Sequence, residues 1–155
     1  MSSLTAPAEC QTPVILGLGL TQMLGWGCSY YLPAMLAAPI ARELGLGTPT
    51  VFAAFSWALV VSALMGPLSG RAIDRWGGRP VMACASLGFA AALALLSLAQ
   101  GVLLLFTAWT LMGLSMSAGL YESAFATLVR FYGPGARRPI TGITLMGGLA
   151  STLSW

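Results

Sequence analysis

Residues 80–121 form a run of 42 positions without one charged side chain. Two further uncharged runs, residues 10–41 and 44–70, precede it. A helix needs about 20 apolar residues to cross the hydrocarbon core of a bilayer, so the longest run must reverse its direction once. Gln100-Gly101 is the plausible turn. Charged residues are only 7% of the chain, against about 25% in soluble domains, and the sequence therefore predicts an integral membrane protein.

The apolar runs predict an all-α membrane bundle with four full transmembrane helices and a fifth at the C-terminal end. A polar tail over residues 1–12 precedes a membrane domain over residues 13–155. The predicted helices cover about residues 13–38, 49–70, 80–99, 102–129 and 139–155. The last stretch is barely long enough to span a bilayer. We therefore expect further helices to follow, in this chain's parent protein or in a complementary half.

The arginines predict the orientation of these helices in the membrane. Six of the seven lie in the second and fourth connections, namely Arg71, Arg75, Arg79, Arg130, Arg137 and Arg138. The opposite connections hold only Arg42, which Glu43 offsets. Because basic loops stay on the cytoplasmic side, the N-terminus and both arginine-rich connections are expected in the cytoplasm. The absence of Lys and the abundance of Ala and Gly suggest a bacterial inner membrane.

The second connection carries the most specific motif of the chain. Its residues follow the pattern Gly-x-x-x-Asp-Arg-x-Gly-x-Arg, formed by Gly70, Asp74, Arg75, Gly77 and Arg79. Gly66 and Gly70 precede the charges at helical spacing, which lets a neighbouring backbone approach closely. We also expect the Asp74 carboxylate to lie near the start of the third helix, where the helix dipole stabilises an anion.

This pattern resembles the loop 2–3 signature of the major facilitator superfamily. It departs from the signature at Gly78, where the family usually has a second basic residue, and at Ile73, in a commonly small position. The resemblance implies five of twelve helices of a secondary transporter, most of its N-terminal half. It also implies that Asp74 and Arg75, supported by Arg79, form a gating contact between two halves that favours the outward-facing state. The alternative to a gating contact is that the arginines only keep this connection on the cytoplasmic side and the glycines only form a tight turn.

One face of the first predicted helix is more polar and aromatic than the rest. Gln22, Trp26 and Tyr30 recur on it at four-residue steps. Packing of small residues with an interfacial Tyr pair would explain the face. Alternatively it lines a substrate cavity, because an unpaired amide near mid-span is costly. We predict Gln22, Trp26, Tyr30 and, from the fourth helix, Ser115 as possible lining residues.

Glu122 is the one carboxylate inside a predicted helix. Carboxylates within the membrane are expensive and often couple protons or ions to transport. Against that, residues 102–121 already span the hydrocarbon, so Glu122 would lie towards the cytoplasm. There it could instead pair with an arginine of the second connection.

Several classes of function have no support in the sequence. The chain lacks His and a phosphate-binding loop with Lys, so we expect no enzyme activity, no cofactor and no metal. The arginines do not line one helix face, which argues against nucleic acid and for lipid. Cys10, Cys28 and Cys84 have no motif spacing and are expected to be packing residues.

The leading prediction is a gradient-driven transporter of a small solute whose substrate the sequence does not identify. A truncated or accessory membrane protein without transport activity is the alternative, and the DNA downstream of codon 155 would distinguish the two. A small dimeric exporter is a third option, weakened because the first helix has no deep acidic residue.

Overall fold

The structure is a computed structural model that describes residues 11–120 and, further on, positions 125, 129, 140, 141, 144 and 145; side chains are described from residue 17 onward. Within these ranges, helices are the regular secondary structure and short turns connect them. The elements are α1 (Gln11–Trp26), a π-helical segment (Gly27–Tyr31), α2 (Leu32–Glu43), α3 (Thr48–Trp76), α4 (Gly78–Ser97) and α5 (Val102–Gly119). Among the described residues, α3, α4 and α5 are long and apolar enough to cross a membrane.

The first predicted helix is a helical rod of three parts: α1, the π segment and α2. It continues to Glu43, five residues beyond the predicted end. Gly45 ends it, because its φ of 64° is a left-handed conformation that glycine adopts without strain. The amide of Leu46 then donates to the Ala41 carbonyl at 2.8 Å, and the amide of Gly45 to Arg42. This pair of bonds is a Schellman cap.

The second predicted helix, α3, was expected to end at Gly70 and instead continues to Trp76. Its 29 residues give a length of roughly 43 Å, which exceeds the roughly 30 Å hydrocarbon core. The charged residues of the motif are compatible with a helix, so only Gly77, at a φ of 88°, stops it. The expected loop is therefore a single residue between two helices, and most of the motif is helical.

The fourth predicted helix, α5, is shorter than expected. It begins at Val102 but ends at Gly119, and Leu120 is extended, with ψ at −170°. The prediction of an unbroken helix through this point is wrong, although Phe125 and Val129 are helical again. Of the fifth predicted helix, only four helical positions are described: Ile140, Thr141, Thr144 and Leu145.

Helix α5 lies at the centre of the described bundle, between α3 and α4. Its Leu105, Trp109, Met112 and Met116 are at most 2% exposed. Small residues let its neighbours come close. A Cβ atom added at Gly113 would clash with the Ala58 carbonyl oxygen of α3. The side chain of Ser115 occupies the corresponding space beside Gly88 of α4.

Candidate functional site

Two regions hold most of the described residues that the sequence singled out. The first is the charged end of α3 and the start of α4, which we name the charge cluster: Arg71, Asp74, Arg75 and Arg79. All four side chains are exposed. The second is a polar and aromatic face built from α1, the π segment, α3 and α5.

The charge cluster owes its geometry to Gly77. Its amide donates to the Ile73 carbonyl at 2.8 Å, and its positive φ turns the chain directly into α4. Asp74 thus lies in the last turn of α3, four residues before the first residue of α4. The dipole at a helix C-terminus favours Arg75 and disfavours the carboxylate. The helix itself therefore gives no reason for an acid at position 74.

The two glycines beside this cluster have free space around the position of a Cβ atom, as far as the described residues show. An added Cβ at Gly66 or Gly70 would meet no atom within 4 Å. The two glycines, with the cluster one turn further on, form a flat strip at the end of α3 that no described residue covers. Small residues on a helix surface permit the closest backbone approach between membrane helices. This strip can therefore receive another helix.

The aromatic side of the second region is a chain of four rings, one from each of four helical elements. Trp26 stacks on Tyr30, with ring centroids 4.4 Å apart. Tyr30 meets the edge of Phe55 at 5.9 Å, and Phe55 meets Trp109 at 5.4 Å. Tyr30 is 37% exposed, while Trp109 is buried. The chain of rings thus leads from an accessible surface into the centre of the bundle.

Tyr30 belongs to the π segment. A π turn carries one extra residue compared with an α turn, and such turns often occur at functional sites. Within it, the buried Ser29 hydroxyl donates to the Gly25 carbonyl at 2.6 Å, a bond that often bends helices. Tyr30 lies over the ring of Trp26 and against the ring of Phe55 of α3.

Gln22 is fully buried and joins α1 to the end of α5. Its Nε2 donates to the Gly119 carbonyl at 2.8 Å. Among the described residues nothing donates to its Oε1, and an unsatisfied buried acceptor costs about 1–3 kcal/mol. The Trp109 Nε1 is likewise a buried donor without a described acceptor.

Ser115 lies elsewhere. It is 4% exposed, packs against Gly88 of α4 and donates to the Leu111 carbonyl at 2.9 Å. The structure thus makes Ser115 a packing residue between two helices, not a neighbour of Tyr30. Glu122, Arg130, Arg137 and Arg138 lie outside the described residues. Cys28 and Cys84 are free thiols.

Sequence reasoning missed two polar contacts between α3 and α5. The Trp57 indole donates to the Thr110 hydroxyl at 2.9 Å, and the hydroxyls of Ser69 and Ser117 are 2.9 Å apart. These contacts lie on either side of the Ala58–Gly113 crossing. Also missed were the ring contacts of Phe55 with Tyr30 and with Trp109. Their pairing depends on how α3 and α5 cross, and no spacing within one helix signals it.

The described helices, three of them able to span a bilayer, define a helical membrane protein, and four of its six described charged residues lie where α3 meets α4. The sequence model of the Major Facilitator Superfamily matches residues 15–154. The chain belongs to this superfamily of membrane transporters. No curated protein and no solved structure matches the chain.

Proposed function

We propose that the chain is the first part of a gradient-driven secondary transporter that moves a small solute by alternating access. The observation that carries the proposal is the strip of Gly66 and Gly70, which no described residue covers and which ends in the exposed charge cluster. Together these features provide a surface for close helix contact and the charges to hold it. We assign this surface to the contact between two transporter halves.

The charges suit a contact that forms and breaks. Asp74 is exposed near the C-terminal end of α3, so it gains most from a positive partner outside this helix. The N-terminus of a helix in the other half, with its partial positive charge, is such a partner. Exposed ion contacts are worth only about 0–1 kcal/mol each. A latch of this strength biases a conformational equilibrium without locking it.

The proposed substrate path runs along the polar and aromatic face. Tyr30 is its accessible member, and Trp26, Phe55 and Trp109 continue it inward. In transporters built from repeats, the substrate binds near mid-membrane between the halves. Gln22, Trp26 and Tyr30 therefore remain the proposed lining residues.

The positive-inside rule supports a cytoplasmic charge cluster and a cytoplasmic N-terminus in a bacterial inner membrane. Reporter fusions after Asp74 and after Gln100 test this orientation. The fusion after Asp74 should report cytoplasm, and the fusion after Gln100 should report the opposite side. The same side for both would contradict the topology.

Alternating access is tested with Tyr30→Cys in the protein as its own gene encodes it, with Cys10, Cys28 and Cys84 replaced by Ser. If Asp74 stabilises the outward-facing state, a membrane-impermeant maleimide added outside should label this cysteine. Adding Asp74→Asn should slow that labelling several-fold. Glu43→Gln is the matched control, because it removes a carboxylate from the opposite connection and should leave the rate unchanged. Equal labelling rates with and without Asp74 would reject the latch.

A further inference from the structure

One side of α3 carries a line of large apolar residues that ends in two arginines. Its members follow one another at steps of three or four residues, which places them on one face of the helix. They are Trp57, Val60, Leu64, Leu68, Arg71 and Arg75, and every one of them is exposed. We name this face the leucine–arginine line. It is an apolar surface with two positive charges at one end.

A second line of residues on α3 has small side chains and ends in an acid. It holds Ala63, Gly66, Gly70 and Asp74, again at steps of three or four residues. Since a helix turns by about 100° per residue, Leu68 and Gly70 lie about 160° apart around its axis. The charge cluster is thus divided between two faces: Asp74 lies with the glycines, and Arg71 and Arg75 lie with the leucines.

The two lines suit different neighbours in a membrane. Small residues let another helix come close, whereas large exposed side chains hold a helix backbone away. Leu64 and Leu68 are 66% and 53% exposed, so they present much of their hydrocarbon to the surroundings. Lipid tails are as apolar as leucine and cover such a surface without close backbone contact. The leucine–arginine line is therefore suited to lipid, and the small line to a helix.

The arginines at the end of the leucine–arginine line are spaced to hold one anion. Arg71 and Arg75 are four residues apart, so their Cβ atoms are about 5–6 Å from each other. Their long stems can lie along the apolar surface while the guanidinium groups reach the headgroup region. A guanidinium group binds a phosphate through two parallel hydrogen bonds. Two such groups beyond a row of leucines match a headgroup phosphate that continues into an acyl chain.

We propose that Arg71 and Arg75 bind the headgroup phosphate of an anionic phospholipid whose acyl chain lies along Leu64 and Leu68, with phosphatidylglycerol as the lipid to test. Basic residues at the end of a transmembrane helix attract anionic lipids. The lipid occupies a different face of α3 from the small line, which keeps its proposed role in the contact between transporter halves. The binding depends on α3 crossing the membrane and not on transport.

The test is fluorescence quenching by brominated lipids in the protein as its own gene encodes it, with Cys10, Cys28 and Cys84 replaced by Ser. Leu68→Cys receives a fluorophore in detergent, before reconstitution into phosphatidylcholine vesicles with a small, fixed fraction of phosphatidylglycerol. One of the two lipids carries bromine midway along its chains. Leu68 lies seven residues from Arg75, about 10 Å along the helix, which is within the depth of one leaflet.

We expect brominated phosphatidylglycerol to quench this fluorophore roughly fivefold more per molecule than brominated phosphatidylcholine. Equal quenching by the two lipids would overturn the proposal. Absence of quenching by either lipid would overturn it as well, because another helix would then cover the leucine–arginine line.

The matched control for position is Gly70→Cys with the same fluorophore, at nearly the same depth on the small line. It should show no preference between the lipids. The same preference at both positions would mean that anionic lipid is enriched all around the protein, and would overturn the site.

Charge variants test the two arginines directly. Replacing both by Gln, as Arg71→Gln with Arg75→Gln, should abolish the preference at Leu68→Cys. Arg42→Gln removes a positive charge from the opposite connection and should keep it. A preference that survives the loss of both arginines would overturn the site. If the double variant does not fold, the comparison of Leu68→Cys with Gly70→Cys still decides.

These results separate the two proposals. A lipid preference at Leu68→Cys without any effect of Asp74→Asn on the labelling of Tyr30→Cys would support the lipid site and reject the latch. The reverse result would support the latch and reject the lipid site.

Discussion

The two halves of helix α3 differ in how closely other parts of the chain pack against their small residues. In its first half, Ala58 lies so close to α5 that Gly113 has no room for a Cβ atom. In its second half, Gly66 and Gly70 have no described atom near the position of a Cβ. The first half is thus internal to the bundle. The second half keeps its small residues on a surface that no described residue covers, next to the charge cluster, and we propose this surface as the contact with the other transporter half.

The largest effect is expected at Trp109, at the centre of the packed half. Trp109→Ala removes a side chain that is 1% exposed and should destabilise the fold by about 3–5 kcal/mol, because the cavity remains. Denaturant unfolding in detergent measures the change. Trp57→Ala, at 46% exposed, should cost much less. Equal losses at both positions would contradict the buried centre around α5.

The second effect compares the two kinds of glycine directly. Gly113→Ala forces a methyl group into the Ala58 carbonyl and should destabilise by about 1–3 kcal/mol through overpacking. Gly70→Ala in the same assay should be neutral or stabilise by up to about 1 kcal/mol, because Ala favours helices over Gly. If Gly70→Ala destabilised the protein more than Gly113→Ala, the distinction between packed and open glycines would be wrong.

A third effect separates strain from packing. Gly77→Ala places a side chain at a φ of 88° and should cost about 1–2 kcal/mol, although nothing lies within 4 Å of the new atom. Gly66→Ala has the same open space without the positive φ. A stability loss for Gly77→Ala but not for Gly66→Ala confirms that Gly77 sets the turn. No loss for either would mean that the turn tolerates other residues.

The smallest effect is expected at the hydroxyl pair between α3 and α5. Ser117→Ala removes the partner of Ser69 and should cost about 0.6 kcal/mol, the usual worth of such a bond in a membrane protein. Ser97→Ala is the control, because the Ser97 hydroxyl bonds only within α4. A loss well above 1 kcal/mol at Ser117 would indicate that this contact does more than join two helices.

The sequence predicted the class of fold because charge and hydropathy determine where helices can cross a bilayer. It also found the motif residues Gly70, Asp74 and Arg75. It misjudged the end of α3, because polar residues were read as the end of a helix that only Gly77 stops. The break at Gly119 was hidden for a related reason: the residues on both sides of it favour helix, and Gln22 from a distant part of the chain caps it.

The remaining differences between the predictions and the structure come from the way the helices cross one another. Ser115 shares a helix with Trp109, but the rotation of α5 turns it towards Gly88 of α4 and away from Tyr30. The ring chain from Trp26 to Trp109 passes through a π segment, which no residue pattern in residues 27–31 predicts. These features follow from packing between helices, and single-helix periodicity does not contain that information.

The central claim is that the open half of α3 serves as a contact surface controlled by Asp74. The most direct test is the labelling rate of Gly70→Cys by a maleimide in inside-out vesicles, in the cysteine-replaced protein as its gene encodes it. Labelling should be slow with Asp74 present and several-fold faster with Asp74→Asn, whereas Gly101→Cys in right-side-out vesicles should label equally in both. The same labelling rate of Gly70→Cys with Asp74 and with Asp74→Asn would contradict this claim.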